Sequence, residues 1–310
     1  MKAIRVHGRG GPDHLVYEDA PTPTPGVGEA LVRVAAVAII ATELTWDVTY
    51  ETAHGAPRPL PIPGHDVSGV VVAVGPGVTT PAVGDAVYAL TAFERDGAEA
   101  DYTIALPSEL APKPTTLTAP QAAAVPLAAL TAWQALFTQA GLASGQTVLI
   151  HGAAGGVGTY AVQFARWAGA RVVTTAAARH AEFLQALGAD ETIAYDTTRF
   201  EEVVHDVDVV FDLVGHDTLT RSWSVVKPGG VVVSVVSPLP TDLPHVAGVR
   251  FAWFIVEPSR EQLGQIGALL DAGQVKPIVA QVFPLSEARQ AYEAAMQGHA
   301  QGKIVLQVEG

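Results

Sequence analysis

The segment Thr147–Gly158 (TVLIHGAAGGVG) is the strongest indication of the fold, because an apolar strand runs directly into a glycine-rich loop and then into a helix. Gly155 and Gly156 have no side chain that would hold a pyrophosphate away from the backbone, and Gly158 would let the helix pack closely on the strand. The free N–H groups at the start of such a helix attract phosphates. This strand–loop–helix unit predicts a dinucleotide-binding site, and the alternative is a glycine-rich turn without a ligand.

The chain after this segment alternates short apolar strands with helices. Such alternation predicts parallel strands joined by crossover helices, which is the doubly wound parallel sheet of an α/β Rossmann domain. The expected strands are Thr147–His151, Arg171–Thr175, Thr192–Ala194, Val207–Val214, Gly230–Val236 and Val249–Val256. The expected helices are Gly156–Ala168, Arg179–Leu187, Leu219–Val226 and Arg260–Ala272, and a last strand is expected at Lys303–Val308.

The first third of the chain has a different pattern, with strand-like runs separated by proline and glycine. Strands are expected at Leu31–Val37, Val67–Val74 and Ala86–Leu90. Short strands with frequent turns predict a small β-barrel or sandwich. The pattern changes near Thr118, because Thr118–Gln121 has the form of a capped helix start. We therefore divide the chain into domains at 1–119 and 120–258 and a C-terminal segment at 259–310.

The composition of the chain excludes several classes of function. The 310 residues are 49% hydrophobic and 16% charged, which is typical of a globular protein with a large core. A formal net charge of −13 argues against a general affinity for nucleic acid or anionic lipid. The absence of cysteine excludes disulfides, thiolate metal ligands and a cysteine nucleophile. The sequence shows neither a secretory signal nor an apolar run long enough to span a membrane, so a cytoplasmic location is the default expectation.

The end of the second strand of the sheet indicates which dinucleotide is bound. NAD enzymes usually place Asp or Glu there, about 20 residues after the glycine loop, to bind the ribose hydroxyls. Here the strand ends Thr174-Thr175-Ala176 without a carboxylate, and Arg179 follows. A guanidinium can pair with a 2′-phosphate through two hydrogen bonds. The sequence therefore predicts NADPH as the cofactor, and the alternative is that Arg179 is a solvated residue in the first turn of a helix.

Four motifs, taken in their order along the chain, resemble a known superfamily. The loop HGAAGGVG is accompanied by Pro61–Gly69 (PIPGHDVSG), Pro126–Leu136 (PLAALTAWQAL) and Gly302–Leu306 (GKIVL). Together they resemble the medium-chain dehydrogenase/reductase superfamily, and within it the zinc-independent quinone oxidoreductase branch. The resemblance covers nearly the whole chain. It implies an N-terminal GroES-like β-barrel catalytic domain, a Rossmann domain, a final segment that returns to the barrel, and a substrate cleft between the domains.

The resemblance also implies roles for individual residues. Thr131 would contact the nicotinamide as a catalytic and cofactor-binding residue, and a core or helix-capping hydroxyl is the alternative. Lys303 would approach the nicotinamide side, or it would be a surface lysine. The pyrophosphate would be held by the loop residues Ala154, Gly155, Gly156, Val157 and Gly158. The adenosine phosphate would lie near Arg179 and Tyr195, and the strand ends at Gly215, Val236 and Ser237 would close over the cofactor.

The residues at the positions of the superfamily's catalytic zinc argue against a metal. His65 stands where zinc-dependent members have a metal-binding histidine, while Ile40 and Leu127 stand where they have thiolates. Catalytic zinc generally needs three protein ligands, and two of these three side chains cannot ligate. We therefore expect no metal, and a His65 that is hydrogen-bonded in a turn near the barrel.

Without a metal to polarise a carbonyl, hydride transfer from NADPH to a quinone or an α,β-unsaturated carbonyl is the expected reaction, because conjugation spreads the developing charge. Tyr50, in the loop Leu44–Pro59, is the best candidate for a proton donor or a substrate-facing ring, and a packing anchor is the alternative. The stretch Ile39–Glu43 departs from the Asn-containing pattern of the family, which leaves the substrate open. An enoyl-thioester reductase and an NADPH-binding protein with a structural or regulatory role remain the alternative functions.

The expected partners are a small-molecule electron acceptor and a second copy of the chain. The strand predicted at Val249–Val256 (VRFAWFIV) is almost wholly apolar and would lie at one end of the sheet. An edge strand of this kind invites aggregation unless something covers it. Pairing of the same strand from two subunits would cover it, which predicts a homodimer. The alternative is that helices bury both faces of the strand within one chain.

Overall fold

The structure is a computed structural model that describes residues 1–52, 54–238, 248–298 and 300–308. It divides into two compact units. Unit 1 contains Met1–Leu130, Glu257–Gly273 and Pro277–Gly310, and unit 2 contains Thr131–Val256 with Gln274–Lys276.

Strands and helices are numbered along the chain. The strands are β1 (Lys2–Val6), β2 (Leu15–Asp19), β3 (Ala30–Ala38), β4 (Asp66–Val74), β5 (Ala86–Leu90), β6 (Tyr102–Ala105), β7 (Ala111–Pro112), β8 (Thr147–His151), β9 (Arg171–Ala176), β10 (Glu191–Ala194), β11 (Val207–Asp212), β12 (Val226–Ser234), β13 (Arg250–Trp253), β14 (Val279–Pro284) and β15 (Lys303–Gln307). The α-helices are α1 (Asp47–Tyr50), α2 (Ala119–Ala123), α3 (Pro126–Trp133), α4 (Gly156–Trp167), α5 (Ala181–Leu187), α6 (His216–Ser222), α7 (Arg260–Asp271) and α8 (Ala288–Met296). A π-helical turn, Gln134–Gln139, follows α3, and the 3-10 turns are Pro12–His14, Glu43–Thr45, Ala178–His180, Phe200–Glu202 and Leu285–Glu287.

Unit 1 is built on a seven-stranded sheet in the order β14-β15-β3-β4-β5-β7, with β6 also paired to β3. Its neighbours pair antiparallel except β14 and β15, and a separate antiparallel pair is formed by β1 and β2. The predicted strand Ala86–Leu90 has its expected bounds, and the strands expected at Leu31–Val37 and Val67–Val74 extend by one residue at one or both ends. The last strand pairs with β3, so the end of the chain adds to the sheet that the beginning forms.

The helix start at Thr118 is a capping box, as the sequence indicates, since Thr118 and Gln121 exchange side-chain and backbone hydrogen bonds. This helix, α2, belongs to unit 1, because Ala123 and Ala124 are buried with Ala36 of β3 and other small side chains. The division in the structure therefore lies at Leu130–Thr131 rather than at the 119/120 boundary suggested by the change of pattern. The helical stretch is interrupted before Pro126, where a proline has no N–H to continue the first helix.

Unit 2 contains a six-stranded parallel sheet in the order β10-β9-β8-β11-β12-β13. This is the doubly wound arrangement that the alternating pattern predicts, and the GroES-like and Rossmann assignments are confirmed. Among the residues described here, no helix is both long and apolar enough to cross a membrane.

Several predicted boundaries in unit 2 are wrong. β11 ends at Asp212 instead of Val214, because the Asp212 carboxylate accepts the backbone N–H groups of Val214 and Gly215. Helix α6 spans His216–Ser222 instead of Leu219–Val226. β12 spans Val226–Ser234, so it begins four residues before the expected start at Gly230. β13 spans Arg250–Trp253 and is shorter than the expected strand Val249–Val256.

Candidate cofactor site

The candidate site lies where the strand order of the unit 2 sheet reverses. β8 has β9 on one side and β11 on the other, so the loops after β8 and β11 leave the carboxyl ends of adjacent strands in opposite directions. Ligands of open parallel sheets bind in the crevice outside such a switch point. The glycine-rich segment is the loop after β8, which puts the sequence motif at this position.

The glycine loop has the close packing that its sequence predicts. A Cβ added at Gly158 would lie 2.5 Å from the carbonyl oxygen of Gly152 and 2.6 Å from the backbone of Ala153. Gly152 itself adopts a left-handed φ of 71°, which L side chains rarely take. Gly155 is the N-cap of α4, and Ala154, Gly155, Gly156 and Val157 remain half-buried. The backbone N–H groups at the start of this twelve-residue helix are thus presented at the crevice.

The end of β9 presents a cation and no acid. From Val172 to Ala181 the chain contains no Asp or Glu. Arg179 lies in the turn Ala178–His180, is exposed, and makes no hydrogen bond or ion pair with any residue that the structure describes. Tyr195 follows β10, is 64% exposed, and donates its backbone N–H to the carbonyl of Ala176 at 3.2 Å. The two predicted adenosine-phosphate residues therefore follow neighbouring strand ends.

The third group of predicted residues also comes together. Gly215 has φ of 76° and precedes α6. A Cβ at this glycine would lie 2.9 Å from Cγ1 of Val236 and 3.6 Å from Oγ of Ser237. Gly215, Val236 and Ser237 thus form one surface beside the glycine loop, although their contact with a cofactor stays a prediction.

His151, the last residue of β8, bonds to side chains of β9 and α6. This role was not identified from the sequence. Its ring is completely buried, with Nδ1 2.9 Å from Oγ1 of Thr175 and Nε2 3.0 Å from Oγ of Ser222. Because the Ser222 hydroxyl donates to the carbonyl of Thr218, it must accept from Nε2–H, which leaves Nδ1 to accept from Thr175. Burial, assisted by the charge of Arg221, lowers the pKa of His151 to about 3. A histidine inside an apolar strand gave no sign of these partners.

Lys303, in unit 1, is buried and not a surface lysine. Its Nζ lies 3.0 Å from Oδ2 of Asp66 and donates to the carbonyl of Ile39 at 3.0 Å. Asp66 also accepts the backbone N–H of Leu127. Burial raises the pKa of Asp66, and the Lys303 ammonium opposes that shift. The GKIVL motif therefore places its lysine against the motif that contains His65 and Asp66.

Tyr50 lies where the packing-anchor alternative expects it, and its surroundings do not support the proposed role as proton donor. Its ring is buried in the core of unit 1, and its hydroxyl donates to the carbonyl of Leu44 at 2.7 Å. The Arg9 guanidinium lies over the outer face of the ring, 4.5 Å from its centroid. Burial raises the pKa of Tyr50. A phenol that already gives its only proton to a backbone carbonyl is not placed to protonate a substrate.

Thr131 lies on α3 and is buried. A buried hydroxyl on this helix fits either of the two roles that the sequence leaves open. Its contact with the nicotinamide therefore stays a prediction.

The side chains at the zinc positions do not fit a catalytic zinc. His65 is buried, with Nδ1 3.0 Å from Oγ1 of Thr91 and Nε2 3.4 Å from Oε1 of Glu43. Ile40 and Leu127 have no donor atoms in their side chains, and the chain has no cysteine. In the part of the chain that the structure covers, no group of three or more His, Asp or Glu side chains is placed to hold a metal ion.

Comparison with known proteins agrees with both units. A family model described as the alcohol dehydrogenase GroES-like domain matches residues 26–114, and one described as zinc-binding dehydrogenase matches residues 187–306. The chain is 38% identical to a probable mitochondrial zinc-binding oxidoreductase of Arthroderma benhamiae, over 95% of this chain and 93% of that protein. It is 32% identical to the chloroplastic quinone-oxidoreductase QR1 of Triphysaria versicolor, over 99% of this chain and 98% of that protein. The solved quinone oxidoreductase of Coxiella burnetii superposes with a TM-score of 0.90 at 33% identity, covering 100% of this chain and 99% of that one.

These similarities and the switch-point loop define an oxidoreductase whose Rossmann sheet binds a nicotinamide cofactor. More narrowly, the chain belongs to the medium-chain dehydrogenase/reductase superfamily, in its quinone oxidoreductase-like branch.

Proposed function

We propose that the protein is an NADPH-dependent oxidoreductase that works without zinc and reduces a quinone or an α,β-unsaturated carbonyl compound. The observation that carries the choice of cofactor is Arg179, an exposed guanidinium without a protein partner among the described residues, at the end of a strand that lacks an acid. A carboxylate at this position would repel a 2′-phosphate, whereas a guanidinium can bind it in a bidentate manner. Tyr195 is exposed and follows the neighbouring strand, so its ring would lie beside the same phosphate.

The residues of this chain bind and orient the cofactor. The glycine loop holds the pyrophosphate on the N–H groups of α4, and Gly215, Val236 and Ser237 border the crevice on the β11 side. Thr131 orients the nicotinamide ring. When bound, NADPH supplies a hydride, and the protein contributes by positioning the acceptor.

The absence of thiolate ligands supports the choice of acceptor. An isolated alcohol or ketone needs a Lewis acid to stabilise charge on its oxygen, and the side chains at positions 40 and 127 cannot hold one. A conjugated acceptor spreads that charge over several atoms and needs less help. Quinones and α,β-unsaturated carbonyls are such acceptors.

Turnover on a panel of acceptors tests this proposal. NADPH oxidation is followed with quinones, α,β-unsaturated ketones and enoyl thioesters, each also with NADH. We expect NADPH oxidation to be stimulated by quinones or enones. Stimulation by enoyl thioesters alone would identify an enoyl-thioester reductase instead. No stimulation by any acceptor, together with tight NADPH binding, would identify a cofactor-binding protein with a structural or regulatory role.

The metal content of the purified protein tests the second part of the proposal. We expect no stoichiometric zinc by elemental analysis, and a rate that chelators leave unchanged. One tightly held zinc per chain would contradict the assignment of positions 40 and 127 and would favour alcohol oxidation.

A homodimer and a cytoplasmic location complete the proposal. Two of the relatives carry a mitochondrial and a chloroplastic location in their names.

A further inference from the structure

Asp212, the last residue of β11, binds groups from two neighbouring strand ends. It is completely buried. Its Oδ1 accepts the backbone N–H groups of Val214 at 3.1 Å and Gly215 at 3.0 Å, and its Oδ2 accepts the hydroxyl of Ser234 at 3.0 Å. Within the described residues it forms no ion pair with Lys, Arg or His. A buried carboxylate without a cation depends wholly on such donors for its stability.

The Ser234 hydroxyl extends this contact into the loop after β12. Ser234 lies opposite Asp212 in the register of the two parallel strands. While its hydroxyl donates to Asp212, its Oγ accepts the backbone N–H of Val236 at 3.3 Å. One carboxylate therefore orders the loop that contains Gly215 and the loop that contains Val236 and Ser237.

The loop after β11 has a backbone that needs such support. Gly215 has φ of 76° and His216 has φ of 52°, so two successive residues take left-handed conformations. A non-glycine residue in this region is strained, and the conformation persists only where surrounding contacts determine it. The Asp212 carboxylate supplies such contacts, because it binds the N–H groups of Gly215 and of Val214, which precedes it.

The same loop lies close to the glycine loop. A Cβ added at Gly152 would lie 3.3 Å from Cβ of Leu213 and 3.4 Å from Cγ2 of Val214. Movement of Leu213 and Val214 would therefore change the space available beside Gly152. The position of the loop after β11 thus affects both sides of the switch point.

We propose that Asp212 is a positioning residue of the cofactor site, which fixes Gly215 directly and Val236 through Ser234. This inference rests on the proposed function only in assuming that a dinucleotide binds at the switch point. The loops that Asp212 orders follow β11 and β12, on the opposite side of β8 from Arg179. Asp212 therefore acts on the part of the dinucleotide that NADPH and NADH share, whereas Arg179 acts on the 2′-phosphate.

The test is Asp212→Asn, which keeps the shape of the side chain and replaces one acceptor with an NH2 donor. The new NH2 group must face either the Ser234 hydroxyl or the backbone N–H groups, all of which donate hydrogen bonds to the wild-type carboxylate. We expect the dissociation constants of NADPH and NADH, measured by calorimetric titration, to rise by the same factor of about ten. The matched control is Val210→Ala. Val210 is also buried in β11, but its apolar side chain forms no hydrogen bond to either loop. It should lower the melting temperature and leave both dissociation constants unchanged.

Ser234→Ala keeps the proposal testable if Asp212→Asn does not fold, because it removes only the link to Val236. We expect a smaller loss that is again equal for the two cofactors. The proposal is overturned if the folded variants bind both cofactors like the wild type, if Val210→Ala weakens binding as much as they do, or if the loss is confined to NADPH. A wild-type protein without preference for NADPH would refute the proposed cofactor choice, but an equal loss in Asp212→Asn would still support the role of Asp212.

Discussion

At the scale of single residues, His151 makes the stability of unit 2 depend on pH. Its pKa is lowered to about 3 by burial, while an unfolded histidine titrates near 6.5. The folded state therefore binds fewer protons than the unfolded state between these values, and stability is lost as the pH falls from about 6.5 towards 3. Between pH 7 and pH 5 the loss attributable to His151 should be about 2 kcal/mol.

Replacement of His151 by Asn tests this dependence, because Asn retains a hydrogen-bonding side chain that does not titrate. Equilibrium unfolding at pH 7 and pH 5 should show that the free-energy difference between wild type and variant shrinks on acidification. If the free-energy difference between wild type and variant is the same at pH 5 as at pH 7, His151 is not held neutral in the folded state.

Some residues of the site could be predicted from the sequence and others could not. The positions of Gly158 and Arg179 could be predicted from local geometry, because each follows a predicted strand at a fixed spacing. Asp212, Lys303 and Tyr50 depend on which distant groups the fold brings to them. The partners of Asp212 come from the register of β11 with β12, and the partner of Lys303 lies in β4, so neither contact has a signal in the local sequence.

At the scale of secondary structure elements, the contact of α4 with the preceding loop depends on Gly158. A methyl group there would meet the backbone oxygen of Gly152 at 2.5 Å, and backbone cannot move aside as a flexible side chain can. We expect Gly158→Ala to destabilise the protein by about 1–3 kcal/mol, the usual range for overpacking. It should also weaken binding of both cofactors, because the helix must move away from the glycine loop.

The control for this substitution is Gly264→Ala in α7. Nothing lies within 4 Å of a Cβ at that position, so a methyl group meets open space. Alanine in an exposed helix is favoured over glycine by up to about 1 kcal/mol, so this variant should be as stable as the wild type or more stable. If both substitutions have the same effect, close packing at Gly158 is not the cause.

The elements themselves were largely predictable, and their ends were not. The β8 strand and α4 follow from an apolar run, a glycine loop and an amphipathic helix in sequence. The end of β11 was missed because two further apolar residues, Leu213 and Val214, continue the strand pattern, whereas the Asp212 carboxylate accepts the backbone N–H groups of Val214 and Gly215. The start of α6 was missed for the same reason, since Gly215 is already held by Asp212.

At the scale of the whole molecule, the exposed edge of the unit 2 sheet favours a homodimer. β13 is the terminal strand of that sheet, and Trp253, its last residue, is 45% exposed. Ile255, two residues beyond the strand, is 64% exposed. Such apolar groups on an edge strand are normally covered. We expect light scattering to give twice the mass of one chain, and Trp253→Glu to give a monomer that still binds its cofactor.

An exposed valine outside the sheet provides the control for the dimer. Val203 is 51% exposed and belongs to none of the strands of unit 2, so Val203→Glu should leave the mass unchanged. A wild-type mass of one chain would contradict the dimer. A dimer that survives Trp253→Glu would place the interface elsewhere.

The division of the chain into units could be predicted only in part from the sequence. The return of the C-terminal strand to unit 1 followed from the resemblance of the GKIVL motif to the superfamily. The assignment of α2 to unit 1 did not, because the sequence shows a helix start at Thr118 but not the small side chains of β3 that pack against it.

The most direct test of the proposed function compares NADPH and NADH binding in the wild type and in Arg179→Ala. The wild type should bind NADPH about tenfold or more tightly than NADH. The variant should lose about 1–3 kcal/mol of NADPH binding, the range for a charge-assisted pair, while its NADH binding stays the same. A wild type that prefers NADH, or a variant that loses affinity for both cofactors equally, would contradict the account.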